Sequence, residues 1–546
     1  MTFLHALCAA FLLSCAKLYW IMENEYLNYF ANLLAPVRDR HFRTVGAALG
    51  VLGAAHGLLL LSHIGASISA RQLTAYARVF AARKLVEIAT QVPNAYLYST
   101  LIARPWINHS KVALVVANCW SAFLIHQILL RSGSARMSVR VVAIVIDSLI
   151  SVATAIVLPS AIFLPYAMQF DYKNLSFPMS LLYGDTEFLN LVLENRAFFF
   201  MSWTNALITA VPHASAFLVA TATFDVLSRA TTRMQTSTRL HRIVIPTIFV
   251  TTGAVVLVLH LEAQYGVVNG DIEVIKSMCL QQMHPWLASN FSCAIVKYNC
   301  YRAMVQTPPL DSLYWLEREM LRRITFMHCP ALVVPPIIRE FPSLMGIEIW
   351  NATLERWGEE AALSAQLHEN MLFVMFVFVN MTGIPDGILQ SPLPKQLRDL
   401  EFVHTNLTTI TEDVIEPWSG VSIIYIEHSQ LNEFPTMFKH LPELSELSLI
   451  NNKITAMPID FLLTAIPTYY YSLSFSRNPL RELPEAHNGD LYISYLTLEF
   501  TQLRELPDDP KFPRTALCGK NEQDWDPLGD DRYPMHLIQP FRSLAA

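Results

Sequence analysis

The sequence predicts a multi-span α-helical membrane bundle followed by an α/β solenoid of short repeats. Three observations carry this. The chain has 546 residues, is 53% hydrophobic and only 15% charged, and its long apolar segments are massed before residue 262. A soluble domain carries roughly 25% charged residues. Basic side chains collect in alternate loops of that first half, as they do at the cytoplasmic side of a membrane. One spacing then recurs seven times in the C-terminal third, starting at Leu344, Met371, Leu397, Val421, Leu444, Tyr470 and Ile493.

A bilayer core of ~30 Å needs about 20 apolar residues per helix. Five segments meet that length: Thr44–Ala70, Val112–Leu130, Val141–Phe170, Ala197–Phe224 and Ile243–Leu261. Met1–Trp20 is a sixth: Ser14-Cys15-Ala16 resembles the cleavage site of a signal peptide, but its start carries no Lys or Arg, which favours an uncleaved span. Leu85–Ala103 is apolar in part but holds Glu87, Gln91, Pro93 and Asn94, which leaves the count at six or seven. Loops 131–140 and 225–242 are basic and are expected to be cytoplasmic. Loop 171–196 is acidic and is expected outside, as is everything after Glu262.

Inside these spans Gly46, Gly50, Gly53 and Gly57 fall on one helix stripe, the pattern that lets a neighbouring helix approach closely. His56, His63, His126, Asp147 and His213 are polar groups expected within the membrane, where each costs free energy and marks a candidate site. A path through His63, Asp147 and His213 competes with the plainer reading that each histidine makes one interhelical hydrogen bond. No metal-ligand spacing is present, so no metal and no cofactor are expected.

The repeat unit is apolar, two residues, apolar, one, apolar, two, small or Asn, one, apolar, two, apolar. Leu444, Leu447, Leu449, Asn452, Ile454 and Met457, then Pro458, show it best. Successive starts differ by 27, 26, 24, 23, 26 and 23 residues. Over about 165 residues this resembles the leucine-rich repeats of the typical class, which implies a horseshoe whose short strands line a concave surface. The Pro after the last apolar place (Pro385, Pro435, Pro458, Pro484, Pro507) points to irregular or short helical convex segments. Cys279, Cys293, Cys300 and Cys329 fit no paired CxxC zinc pattern. Four cysteines before the array resemble the N-terminal cap of extracellular repeat proteins, which implies two disulfides with three pairings open. Asp311–Arg323 is expected to be a helix within that cap, capped by Asp311 after Pro308-Pro309.

The domains expected are therefore a membrane region at 1–262, a cysteine-containing cap at 263–330, the repeat domain at 331–510 and an acidic, solvated tail at 511–546. Sequons at Asn174, Asn290, Asn351, Asn380 and Asn406 all lie in segments assigned to the outside, and are expected to carry glycans. The register puts Glu401, Tyr425, Glu427, His428 and Arg477 on the concave face as the candidate ligand contacts. No GxxxxGK[ST], HExxH or GxSxG occurs, so a non-enzyme is expected. No basic block suggests nucleic acid. The expected role is recognition of an extracellular protein or glycan, receptor-like or adhesive, at the plasma membrane or a secretory-pathway membrane. The alternative is a transporter or channel with an accessory repeat domain. The ligand and the oligomeric state are not written in the sequence.

Overall fold

A computed structural model of the chain describes residues 2–24, 27–34, 42–65, 76–131, 137–173, 175–200, 202–213, 243–266, 273–458, 460–463, 465–467, 469–484, 491–505, 516–517 and 531–534. The chain divides into two compact units: Met1–Val267 with Met283–Ala288, and Val268–Gln282 with Ser289–Ala546.

The first unit is helical. Four of its described stretches are long and apolar enough to cross a membrane: Phe3–Met22, Phe42–Leu59, Val145–Gln169 and Ile245–Tyr265. The undecided segment Leu85–Ala103 and the expected span Val112–Leu130 fall mostly within helices Tyr76–Leu101 and Pro105–Arg131, outside that group of four. The expected span Ala197–Phe224 runs on into residues outside the described ones. Between Met137–Val152 and Leu158–Gln169 lies a π-turn, Ala153–Val157. It sits beside Pro159, which cannot donate to the helical ladder, and a local change of winding absorbs the missing bond.

The glycine stripe seats the first helix. A Cβ on Gly46 would lie 2.4 Å from the Trp20 ring, and one on Gly53 would lie 3.0 Å from Leu13. Glycine is therefore required for Thr2–Met22 to lie so close to Phe42–Gly65. His5 and His56 join the two helices through a 2.9 Å contact between their Nδ1 atoms.

The second unit is built on one sheet. Its strands are β1 (Cys279–Gln282), β2 (Cys293–Asn299), β3 (Arg323–Met327), β4 (Leu332–Val333), β5 (Gly346–Arg356), β6 (Phe373–Asn380), β7 (Asp399–Val403), β8 (Ile423–Glu427), β9 (Glu446–Ser448), β10 (Tyr469–Ser474), β11 (Tyr492–Thr497) and β12 (Ala516–Leu517). They hydrogen-bond in the order β1-β2-β3-β5-β6-β7-β8-β9-β10-β11-β12, with β4 beside β5. β1 runs antiparallel to β2, and the other pairs are parallel. Ile347, Val374, Leu400, Ile424, Leu447, Leu473 and Leu496 are successive register partners, all buried on one face. Side chains alternate across a strand, so one apolar ladder per repeat becomes one continuous core.

Short 3-10 turns such as Pro336–Glu340, Asp386–Ile388 and Thr436–His440 return the chain from each strand to the next. Asn452 ties neighbouring repeats together: its Nδ2 donates to the carbonyls of Ile426 (2.7 Å) and Leu449 (3.0 Å), and its Oδ1 accepts from the N–H of Leu431 (3.1 Å). Asn478 does the same one repeat on, donating to the carbonyls of Leu449 (2.7 Å) and Phe475 (3.0 Å).

Two expectations are corrected here. Asp311–Arg323 is not a helix: it forms turns, and Arg323 opens β3. The parallel ladder also begins before Leu344, since β2 and β3 already belong to it. The reason is a repeat at Leu321, Ile324, Phe326, Cys329 and Val334, all fully or nearly fully buried. Cys329 stands where Asn452 stands later. Disulfides join Cys279 to Cys293 and Cys300 to Cys329. The first links β1 to β2, and the second links the chain just beyond β2 and β3. Cys518 lies outside the described residues.

Candidate functional site

The face of the sheet opposite the core carries the candidate contacts. Glu401 and Tyr425 are register partners on β7 and β8, and Glu427 ends β8. His428 and Arg477 are not strand residues. They belong to a column of residues with left-handed backbone, inside β5 and β6 at Asn351 and Phe378 and just beyond the strands elsewhere: His328, Asn351, Phe378, His404, His428, Asn451, Arg477 and Phe500, with φ between 44° and 59°. Non-glycine side chains adopt this conformation reluctantly, so a column of eight is a constraint of the repeat turn. The column packs upon itself. The ring of Phe378 stacks on His404 at 4.4 Å, and His404 on His428 at 4.7 Å. Asn451 Nδ2 contacts His428 Nδ1 at 2.7 Å.

Strand residues that point away from the core of a repeat array are ordinarily expected to face solvent on the concave side. In the structure it is largely buried, with Glu401 and Glu427 at 0% exposure and Tyr425 at 6%. Part of the cover comes from the tail. Residues 531–534 form a bent segment in which Asp531 is 6% and Tyr533 1% exposed. The N–H of Tyr533 donates to Glu427 Oε2 at 3.1 Å. His428 Nε2 meets Asp531 Oδ1 at 3.1 Å. Arg532 Nε donates to Ser474 Oγ at 3.1 Å. The expectation of a solvated tail is thus corrected for these four residues, and the rest of 518–546 lies outside the described ones.

The face is acid-rich. Burial pushes the Glu427 carboxyl up to about 7, against the pull of hydrogen bonds from the Ser448 hydroxyl and the Tyr533 N–H. Burial and the nearby Glu446 raise Asp399 well above the carboxylate range. Glu446 is raised by burial too, opposed by the Tyr425 hydroxyl that donates to it at 2.8 Å and by the charge of Arg532. Arg477 does not join this group, and its guanidinium lies 5.8 Å from the Phe500 ring. The cation of the site is Arg532, which nothing in the strand register points to. Glu427, His428 and Asp531 place one potential metal-ligand atom each within 4.8 Å of one another. Their mutual bonds and those to Ser448 and Tyr533 occupy these atoms, and the geometry asks for no ion.

Nearer the start of the array the same face is balanced. Arg323 pairs with Glu348, which also accepts from Trp350 Nε1 at 2.9 Å. Phe373, Met375 and Val377 make β6 apolar on this side, and all are buried. The ring of Phe373 lies across Gly346, where a Cβ would come within 2.1 Å of it, and the Arg323 guanidinium sits 5.5 Å from the ring. Asn380 and Asn406 are exposed on the array. The amide of Asn351 contacts His328 Nδ1 at 2.9 Å, Asn290 is half-buried, and Asn174 lies outside the described residues.

The polar residues of the helical unit are partnered differently from the proposed path. Asp147 is held by Arg83 at 2.5 Å and by Lys84. Lys84 also meets Glu87 at 3.0 Å and Asn118 at 2.6 Å. His213 stacks on Phe11 at 5.6 Å, and His126 lies 6.3 Å from the Phe249 ring. The side chain of His63 is outside the described residues. A cavity of about 60 Å³ in this unit is lined by Gln91, Asn94, Tyr98, Lys111 and His213 among others.

No family model matches the chain. Among curated proteins it is similar to lumican of Gallus gallus, 23% identical over 150 residues, which are 27% of this chain and 42% of lumican. It is also similar to Toll-like receptor 5 of Homo sapiens, 34% identical over 95 residues, 17% of this chain and 10% of that protein. The chain thus spans less than half the length of these relatives. Among solved structures, the leucine-rich repeat domain of the type III effector XopL has a TM-score of 0.32 and 15% identity, over 52% of this chain and 83% of that one. The parallel ladder, the repeat spacing and the curated likenesses make this a leucine-rich repeat protein.

Proposed function

We propose that the chain is a multi-span membrane protein that presents its repeat domain outside the cytoplasm for recognition of a protein or glycan, in a receptor-like or adhesive role. One observation carries this. Glu401, Tyr425 and Glu427 converge on a face the apolar core does not use, and that face already accommodates a peptide segment. Side chains that cost burial without serving the core are the usual mark of a binding surface. The four membrane-length helices, the two disulfides, the basic loops and the exposed sequon residues Asn380 and Asn406 support the placement.

Protease added to intact cells is expected to remove the C-terminal half, and glycosidase to shift its mobility. A protected, unshifted C-terminus would reverse the topology. A panel of secreted ectodomains, screened on cells that express the full chain, is expected to yield a ligand that is lost on Glu401→Gln with Arg477→Ala. Undiminished capture by that variant, still protease-resistant, would remove the face from the reading. The transporter alternative rests on the buried Arg83, Lys84, Glu87 and Asp147 cluster and on the Lys111 cavity. Ion flux in proteoliposomes that disappears with Lys84→Gln would favour it.

A further inference from the structure

The recognition face holds an occupant. Residues 531–534 make three polar contacts with two repeats that flank β9: Asp531 with His428 and the Tyr533 N–H with Glu427 on the repeat of β8, and Arg532 with Ser474 on β10. Tyr533 is 1% exposed, as a core aromatic would be, yet it belongs to no repeat. The face itself is one-signed, since Asp399, Glu401, Glu427 and Glu446 cluster on strands β7 to β9. Among the described residues of those strands no Lys or Arg stands. Such a surface favours a guanidinium, which is weakly hydrated and carries several donors in a fixed fork. Arg532 supplies one, and the aromatic residue beside it supplies buried apolar area.

We propose that residues 531–534 are an internal occupant of this face, and that its protein partner displaces them by presenting the same pair, an arginine followed by an aromatic residue. The proposal rests on the reading of the face as a recognition surface and adds the chemistry of the partner and its regulation. A tethered segment sees its site at millimolar effective concentration, so a few modest contacts suffice to keep the face occupied. A partner with one weak copy of the pair is then excluded, while one that adds contacts along neighbouring repeats wins.

The probe is a fluorescein-labelled peptide of residues 529–536, Gly-Asp-Asp-Arg-Tyr-Pro-Met-His. Its binding is compared on the full chain and on a chain ending at Asp530, both in nanodiscs. The truncated chain is expected to bind at least about tenfold more tightly. A peptide with Ala at both the Arg and Tyr places is expected not to bind, and Glu427→Gln in the truncated chain is expected to weaken binding. Equal binding to both chains, or none to a truncated chain that keeps the full chain's protease resistance, overturns the proposal. Should truncation prevent folding, the full-length variant Arg532→Ala with Tyr533→Ala is tested with the same peptide, and no gain overturns it equally. Failure here, alongside ligand loss on Glu401→Gln with Arg477→Ala, leaves the recognition function standing and removes only the internal occupant. Peptide binding without any ligand in the ectodomain screen does the reverse.

Discussion

Both units bury charge, and they do so in opposite ways. In the helical unit Arg83, Lys84, Glu87 and Asp147 form a balanced set, with two cations facing two anions and Asn118 and Gln91 completing the hydrogen bonds. In the repeat unit the buried charges on β7 and β8 are acidic, and Arg532, far along the chain, brings a cation whose charge acts on Glu446 of β9. A balanced set is self-sufficient, and removing one member strands the rest. A one-signed set stays partly protonated and remains receptive to a cation from elsewhere. The first arrangement suits a fixed scaffold, the second a surface that exchanges occupants.

The contrast breaks most sharply where charge enters the repeat core with no partner. Leu449 is fully buried, and its side chain belongs to the apolar cluster of the array. Leu449→Asp is expected to cost about 4 kcal/mol or more and to abolish surface delivery of the chain. Normal delivery with unchanged protease resistance would refute the register of the whole array. A smaller loss is expected in the helical unit. Lys84→Met leaves Asp147 and Glu87 short of a cation, at a cost of about 3–5 kcal/mol, read as a lower melting temperature in detergent. A variant as stable as the parent would mean the cluster is not a unit.

The mildest test concerns protons. The folded chain keeps the Glu427 proton up to about pH 7, whereas the unfolded chain releases it near 4.5. Between those values the folded state binds more protons, so stability falls as pH rises and levels off above the folded value. Asp399 and Glu446 shift in the same direction and steepen the trend. Protease resistance of the repeat half is therefore expected to be greater at pH 5 than at pH 8, by roughly 1–3 kcal/mol. Glu427→Gln is expected to flatten part of that slope. A pH-independent parent would show that the carboxylates are not desolvated as described.

The array was legible because its signal is periodic: Leu444, Leu447, Leu449 and Asn452 repeat at near-constant intervals, and each place has one environment. Periodicity also hid part of it. The repeat at Leu321, Ile324, Phe326, Cys329 and Val334 keeps the spacing, but Cys329 drew attention to sulfur chemistry and Asp311 to a helix cap. The left-handed column carries no composition of its own, since Asn, His, Phe and Arg all stand in it, and so backbone geometry alone reveals it. Lys84 and Asp147 are 63 positions apart, and Glu427 and Tyr533 106 apart, with no repeat to relate them. Pairings of that kind are set by how the chain folds back, and pattern reading has no purchase on them.

The antiparallel strand β1 at the start of the sheet has a consequence for how such a chain lengthens over generations. A solenoid grows when a stretch of gene is copied and the new coil stacks on an old one. At its N-terminal edge the ladder already meets a strand of opposite direction, bolted to its neighbour by Cys279 and Cys293. A new parallel coil has nothing to pair with there. Copies can therefore stack only on the C-terminal side of β2, and the uneven spacings of 23 to 27 residues show that coils of unequal length share one ladder.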